Sequence, residues 1–497
     1  MEDAVYQPTS LDGQPAVYDG QPTGPAGKEK YVFIETFGCQ MNDNDSMRML
    51  AHLKDSKYLP TDEPASADLI LINTCSIRDK AEQKFYSAAG KYRELKEKNP
   101  SLIIGISGCV AQQAGAGLLK RIPYVDMVIG THNVHNVPEL VEEISDRRGR
   151  LAGRPDEKIS RTEFRDTIGP GEYAAYGLPY GGGVKASVSI MRGCDNFCTY
   201  CIVPSVRGKE ASRPCEDILD DVKRLADQGV KEITLLGQNV NSYRPTSRSQ
   251  RPDGPAVTFP GLLRLVCAVD PIERVRFVTS HPKDMSTELI YLFGEEAKKL
   301  SRNVHLPLQS GSDSVLGRMK RGYTVAGYLS KVALLRRLYP DISITTDIIA
   351  GFPGESGEDF EKTVTVLREV EFDGVFSFKY SPRPNTAAAG FSDQVPAEVA
   401  QERLLRIQEI QKGITAKKMK ALVGRNMDVL VEGESNRQGR LDGRQGRPTD
   451  CQGRPTEMTG RTPCNRVVNF PGPRERVGAI VGVLITGACS NSLRGIQ

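Results

Sequence analysis

The chain has 497 residues, of which 39% are hydrophobic and 26% charged, and its formal net charge is +4. That length calls for roughly two to four domains, and the composition is that of a soluble globular protein. No uninterrupted apolar stretch approaches the roughly 20 residues of a membrane span, and the start (MEDAVYQPTS) lacks the apolar core of a secretory signal. A cytoplasmic setting is therefore expected. The mild positive excess fits an RNA partner without requiring one.

Residues 1–28 are rich in Gly, Pro, Gln and Asp without apolar periodicity and read as a disordered tail. Over 29–150, the apolar runs YVFIET (31–36), DLILINT (68–74), SLIIGISG (101–108) and DMVIG (126–130) read as buried strands. Helical patterns such as 79–97 and 137–144 lie between them, which predicts a flavodoxin-like parallel sheet. A polar, Gly-rich connector is expected over 151–183. From 184 to about 415 six further strand patterns follow at 186–192, 232–237, 274–279, 303–308, 343–350 and 374–380. With helices between them, at 217–228 and 359–369 for example, they predict a partial (β/α)6 barrel of the TIM type. The Pro- and Arg-rich stretch 242–260 reads as a loop insertion. After a helical run at 397–420, short strands at 427–433, 465–470 and 477–488 predict a small β-barrel over 416–497, with an Arg/Gly-rich mobile loop at about 435–463.

The 11 cysteines are an odd number in a chain without an export signal, so metal binding or catalysis is a better reading than disulfides. RGCDNFCTYC places Cys194, Cys198 and Cys201 directly after a predicted strand. Three close thiolates can hold a 4Fe-4S cluster and leave its fourth iron open to a small molecule. S-adenosylmethionine (SAM) can chelate such an iron through its amine and carboxylate. Structural zinc is the alternative, but it needs a fourth ligand, and the next cysteine, Cys215, lies beyond a Pro/Arg/Gly stretch. Cys39, Cys75 and Cys109 are far apart, yet each follows or ends a predicted parallel strand. Parallel strands release their C-termini on one edge, so the three sulfurs are expected to converge as a second cluster with an open iron. The alternative is three unrelated buried thiols.

FIETFGCQMN, LINTCSIRDKAEQK, GCVAQ, SIMRGCDNFCTYCIVPSVRGKEASRP, LLGQNVNSY and LPLQSGSDSVLGRMKRGYT together resemble the methylthiotransferase family of radical SAM enzymes over about 30–430. Within that family the tRNA-modifying branch is the nearest. The resemblance implies an auxiliary 4Fe-4S cluster on Cys39, Cys75 and Cys109, and a radical SAM cluster on Cys194, Cys198 and Cys201. It also implies a C-terminal RNA-binding TRAM barrel and two SAM molecules per turnover. The implied reaction adds a methylthio group to C2 of an isopentenylated adenosine next to the anticodon. One SAM methylates sulfur held at the auxiliary cluster, and the other yields the 5′-deoxyadenosyl radical. No Ser/His/Asp constellation is needed, because an unactivated aromatic C–H offers a general base no acidic proton.

Cofactor contacts are expected from Tyr200, inside the cysteine loop, and from Gly237, Gln238, Asn239, Gln309, Ser310 and Asp347, at the strand ends where barrel active sites form. His281 and His305 sit at strand ends and can line the site. Phosphate contacts are expected from Arg207, Lys209, Arg213, Lys320 and Arg321. A tRNA with an isopentenylated adenosine and an electron donor such as flavodoxin or ferredoxin are the implied partners of a monomer. Two rivals remain: a ribosomal-protein methylthiotransferase that modifies aspartate, which CSIRDKAEQK argues against, and a non-catalytic zinc and RNA-binding protein. Cys215, Cys267, Cys451, Cys464 and Cys489 have no assigned role.

Overall fold

The computed structural model describes residues 29–76, 79–150, 158–169, 171–173, 183–245, 257–294, 297–435 and 457–497. The tail 1–28, Cys451 and most of the two expected loop insertions lie outside them.

The N-terminal sheet is wholly parallel. Its strands are β1 (Lys30–Thr36), β2 (Tyr58–Pro60), β3 (Leu69–Thr74), β4 (Ile103–Gly108), β5 (Met127–Ile129) and β6 (Ile159–Arg161), in the order β2-β1-β3-β4-β5-β6. The crossovers are α1 (Gln40–Asp55), α2 (Asp79–Lys98), α3 (Cys109–Ala114), α4 (Gly117–Arg121) and α5 (Val137–Arg150). Alternation along the strands divides the core in two. Ile70, Ile72, Ile104 and Ile106 pack under α2, α3 and α4, whereas Leu69, Leu71, Ile103 and Met127 pack under α1 and α5. Burying each such side chain is worth about 1.5–3 kcal/mol, so a one-residue register slip is heavily disfavoured. β6 comes from the stretch read as connector. It was invisible in sequence because a three-residue edge strand with one buried apolar residue, Ile159, leaves no pattern.

The central domain contains β7 (Lys185–Ser189), the short pair β8 (Met191–Arg192) and β9 (Ala211–Ser212), then β10 (Glu232–Leu236), β11 (Arg274–Phe277), β12 (Asn303–His305), β13 (Ser343–Ala350) and β14 (Gly374–Lys379). β7, β10 and β11 form one parallel sheet, and β12, β13 and β14 another. A parallel bridge runs from Val275 of β11 to Leu300, just before β12. The result is the expected open six-strand arc, covered by α6 (Val203–Arg207), α7 (Cys215–Asp227), α8 (Phe259–Cys267), α9 (Thr287–Tyr291), α10 (Asp313–Arg318), α11 (Val325–Leu338), α12 (Gly357–Val370) and α13 (Ala397–Lys420).

The C-terminal domain is a closed five-stranded barrel of β15 (Asn426–Glu434), β16 (Glu457–Arg461), β17 (Val467–Pro471), β18 (Ile480–Ala488) and β19 (Leu493–Ile496). β16 occupies the end of the stretch expected to be a loop. Its sequence, EMTGR, has one large apolar residue, Met458, and that residue is buried in the barrel. The barrel docks where the central strands begin. Arg274 Nη1 donates to Arg461 O (2.7 Å) and Arg276 Nη2 to Thr462 O (2.9 Å). Arg466 pairs with Asp373 at 2.6 Å, and Lys185 with Glu432 at 2.6 Å. Among the described residues no helix is long and apolar enough to cross a membrane.

Candidate functional site

Cys39, Cys75 and Cys109 all lie at the C-terminal edge of the first sheet, following β1, β3 and β4. Two glycines make the approach possible. Gly38 has φ +136°, and a Cβ on it would lie 2.4 Å from Cys75 Cβ. Gly108 has φ +91°, and a Cβ there would lie 2.3 Å from Thr74 O. Only glycine fits such positions without displacing backbone. Cys39 is the N-cap of α1. A hydrogen bond with Cys75 outweighs burial and, with the Arg207 charge and the N–H groups of Asn42 and Met41, brings the Cys39 thiol down to about 6. Burial pushes Cys109 up, opposed by Arg207. Asn42 ties the loops together: its Nδ2 donates to Thr74 O (2.7 Å) and Asn73 Oδ1 (3.1 Å).

Cys194, Cys198 and Cys201 occupy the loop after β8, at the same end of the central arc. Gly193 has φ +73° and lies against Lys209 O, while Cys194 N–H donates to Gly208 O (3.2 Å). Thr199 anchors the far side: its N–H donates to Met319 O (3.1 Å) and its Oγ1 to Arg318 O (2.9 Å). Arg321 Nη1 donates to Cys198 Sγ at 3.3 Å. Burial raises Cys194, and raises Cys201 to about 12. Thiols like these become ligands only when a metal displaces their protons. Among the described residues no three His, Cys, Asp or Glu side chains gather closely enough to hold a single metal ion. A 4Fe-4S cluster instead takes each thiolate on a different iron, and two sets of three thiols at sheet edges, each beside a buried arginine, suit that group.

The segments that carry the two sets touch at one domain interface. Cys109 packs on Ile202, which follows Cys201, and on Val206 of α6. Thr131 Oγ1 donates to Val206 O (2.6 Å). His132 Nδ1 accepts from Arg165 N–H (3.0 Å), so its Nε2 carries the proton and donates to Arg207 O (2.8 Å). Residues 171–173 clamp the interface from the side. Glu172 pairs with buried Arg192, and the Tyr173 ring lies between the guanidinium groups of Arg48 (3.9 Å) and Arg213 (4.6 Å).

Of the expected cofactor residues, Gly237, Gln238 and Asn239 follow β10, Gln309 and Ser310 follow β12, Asp347 lies within β13 and Tyr200 in the cysteine loop. Gly237 is pressed against Met191, where a Cβ would meet its side chain at 2.5 Å. Gln238 Oε1 accepts from Gly193 N–H, and buried Asn239 donates to Asp284 Oδ2 (2.7 Å). Gln309 (φ +70°) and Ser310 are buried, and Ser310 Oγ is 3.4 Å from Thr363 Oγ1. Asp347 lies 3.5 Å from His305 Nε2. The Tyr200 ring packs edge-on to Phe352 at 6.5 Å, beneath the loop. His281 Nδ1 accepts from Lys283 N–H, and burial holds the imidazole neutral at about 2.

Three of the five residues expected to contact phosphate are buried and engaged internally. Arg207, Arg213 and Arg321 are only 5%, 2% and 5% exposed. Arg213 pairs with Asp221 (2.6 Å) and Arg321 with the Cys198 sulfur. Arg207 Nη1 lies 2.8 Å from Asp45 Oδ2, and its Nη2 donates to Asn42 Oδ1 (3.4 Å). Each has an internal anionic or polar partner that repays part of its desolvation, so burial displaced the surface default. Lys209 remains open, its side chain 76% exposed, and Lys320 is exposed. The sequence reading missed Asn42 and Asp45. A signal existed: Asn42, Asp45, Ser46 and Arg48 share the buried part of α1 with Met49 and Leu53, and polar groups at helical spacing on an inward face need partners.

Residues 31–130 match the family described as uncharacterized protein family UPF0004, 188–367 the radical SAM superfamily, and 449–496 the TRAM domain. The tRNA-2-methylthio-N(6)-dimethylallyladenosine synthase of Geobacter sulfurreducens is 46% identical over 474 residues, covering 94% of this chain and 97% of the relative. The chain belongs to that synthase family. The enzyme of the same name from Pelobacter propionicus is 47% identical over 469 residues, covering 94% of this chain and 98% of the relative. The radical SAM methyltransferase TsrM of Kitasatospora setae shares the fold, with TM-score 0.52 at 16% identity, over 73% of this chain and 75% of that one. The superfamily match implies a 4Fe-4S cluster and SAM.

Proposed function

We propose that this chain converts N6-isopentenyladenosine at position 37 of tRNA, next to the anticodon, to its 2-methylthio derivative. Two 4Fe-4S clusters would be held, one on Cys39, Cys75 and Cys109 and one on Cys194, Cys198 and Cys201, with two SAM molecules used per turnover. The observation that carries this reading is that three cysteines follow strands at one edge of the first sheet and one of them, Cys109, packs on Ile202 and Val206, just after the loop that holds the other three. The name shared by the synthase relatives supports the substrate.

When bound, the clusters and SAM supply radical abstraction at an unactivated C–H together with the sulfur and methyl that replace it. The chain's own residues prepare the place. Gly193 and Thr199 fix the loop that carries the second cysteine set. Arg321 offsets thiolate charge at Cys198. Gly237, Gln238 and Asn239, with Gln309, Ser310 and Asp347, line the mouth as polar groups for SAM. Lys209 and Lys320 remain as contacts for tRNA phosphates. An electron-donor protein such as flavodoxin or ferredoxin and a cytoplasmic setting belong to the same reading.

The test is anaerobic reconstitution with iron and sulfide, followed by nucleoside mass spectrometry of tRNA bearing isopentenyladenosine. About eight irons per chain are expected, about four in Cys194→Ala/Cys198→Ala/Cys201→Ala, as two 4Fe-4S clusters require. The 2-methylthio nucleoside should form only with the first protein. About four irons in the unmodified chain, or zinc in their place, would end the two-cluster reading.

A further inference from the structure

We infer that Arg207 is a positioning residue of the auxiliary site: it reaches from the central domain to Cys39 and Cys109, where its charge, moderated by Asp45, tunes the reduction potential of the cluster they hold. This rests on the cluster assignment proposed above.

Arg207 ends α6, the helix that follows Cys201, yet its guanidinium lies in the other domain. There Nη1 is 2.8 Å from Asp45 Oδ2 and Nη2 is 3.4 Å from Asn42 Oδ1. Asn42 Oδ1 is itself 3.5 Å from Cys39 Sγ. Arg207 also hydrogen-bonds with the Cys109 thiol, which packs on Val206. Both members of the ion pair are almost wholly buried, with side-chain exposures of 6% and 1%. A buried ion pair contributes little net stability, so folding alone accounts poorly for one placed beside sulfur ligands. A fixed cation there favours the more negative, reduced state of a cluster, and the Asp45 carboxylate opposes it. Charge and hydrogen bonding at the sulfurs are the recognised means by which a protein sets such potentials. Opposite signs follow: losing Arg207 lowers the potential, and losing Asp45 raises it.

The experiment uses the full chain carrying Cys194→Ala/Cys198→Ala/Cys201→Ala, so that only the auxiliary cluster contributes, with EPR-monitored redox titration and iron counting. Arg207→Gln is expected to keep about four irons and shift the reduced-to-oxidised ratio at least tenfold toward oxidised, a fall of about 59 mV for a one-electron couple. Asp45→Asn should raise the potential, and Arg207→Lys should stay near the parent. If Arg207→Gln loses iron because Asp45 keeps only Arg48 (3.3 Å), Arg207→Gln/Asp45→Asn is compared with Asp45→Asn, from which it differs by the Arg207 charge alone, and should lie below it. Unchanged potentials with iron retained would overturn the inference. So would loss of iron in every Arg207 variant including Lys, which would mean shape rather than charge. No iron in the parent would refute the cluster assignment itself, and the inference with it.

Discussion

Replacing Gly193 by alanine should dismantle one cysteine loop and leave the other standing. Gly193 adopts φ +73°, and a Cβ there would lie 1.9 Å from Lys209 O and 2.6 Å from Gly208 O. The left-handed conformation costs an L-residue about 1–2 kcal/mol. Relieving the overlap adds about 1–3 kcal/mol, as overpacking does elsewhere. The obstacle is backbone, and Gly208 O is already engaged by Cys194 N–H, so a side-chain rotation cannot relieve it. A loss of about 2–5 kcal/mol is therefore expected, concentrated in the central domain. Urea denaturation and iron counting together are the assay. The midpoint should fall, and reconstituted iron should drop from about eight to about four, the number left by one 4Fe-4S cluster. Gly90→Ala is the control. It lies in α2 with nothing within 4 Å of an added Cβ, so it should be neutral or gain about 0.5–1 kcal/mol. A Gly193→Ala protein as stable as its parent and with full iron would refute the argument.

Arg213→Gln removes one of the two cations of buried Asp221, leaving half-exposed Arg224, and should cost about 1–3 kcal/mol in urea unfolding while leaving the salt dependence of tRNA binding unchanged. Lys209→Ala and Lys320→Ala should do the reverse, each weakening tRNA binding and reducing the slope of log affinity against log salt by about 1, with stability unaltered. A steep loss of tRNA affinity at constant stability in Arg213→Gln would restore it to the surface. Acid should loosen the domain interface through His132, which burial and the charges of Arg192 and Arg207 hold at about 4, below the usual 6.5. The folded state keeps this imidazole neutral, so its contribution is complete above about pH 6.5 and shrinks as pH falls toward 4, by about 2 kcal/mol at pH 5. Comparing urea midpoints at pH 7.5 and pH 5 checks this, and His132→Gln should show a smaller difference than the parent; an equal one would rule His132 out.

The long strands were legible because their apolar runs are continuous and end on a cysteine, as in DLILINTC and SLIIGISGC. The same endings announced that three distant cysteines share one edge, since parallel strands leave no other arrangement. β2, β6 and β16 were not legible. Three to five residues with one or two buried apolar side chains carry no period, and only pairing with a neighbouring strand defines them. The arginines failed for a different reason. A charge defaults to the surface unless its partner is known, and the partner of Arg207 is Asp45, in another domain and invisible to any local pattern. The Cys198 sulfur beside Arg321 escapes a local pattern on the same grounds.

The docking of the small barrel at the starts of the central strands has a consequence for what the protein can accept. The cysteines sit at the opposite ends of those strands, and β13, eight residues from Ser343 to Ala350, measures the separation. At about 3.3 Å per residue that is roughly 26 Å. A ligand gripped by the barrel and reacting at the cysteines must span that length along the outside of the domain. The strand thus acts as a ruler: a folded stem with its loop can reach from end to end, while a free nucleoside can occupy only one end at a time.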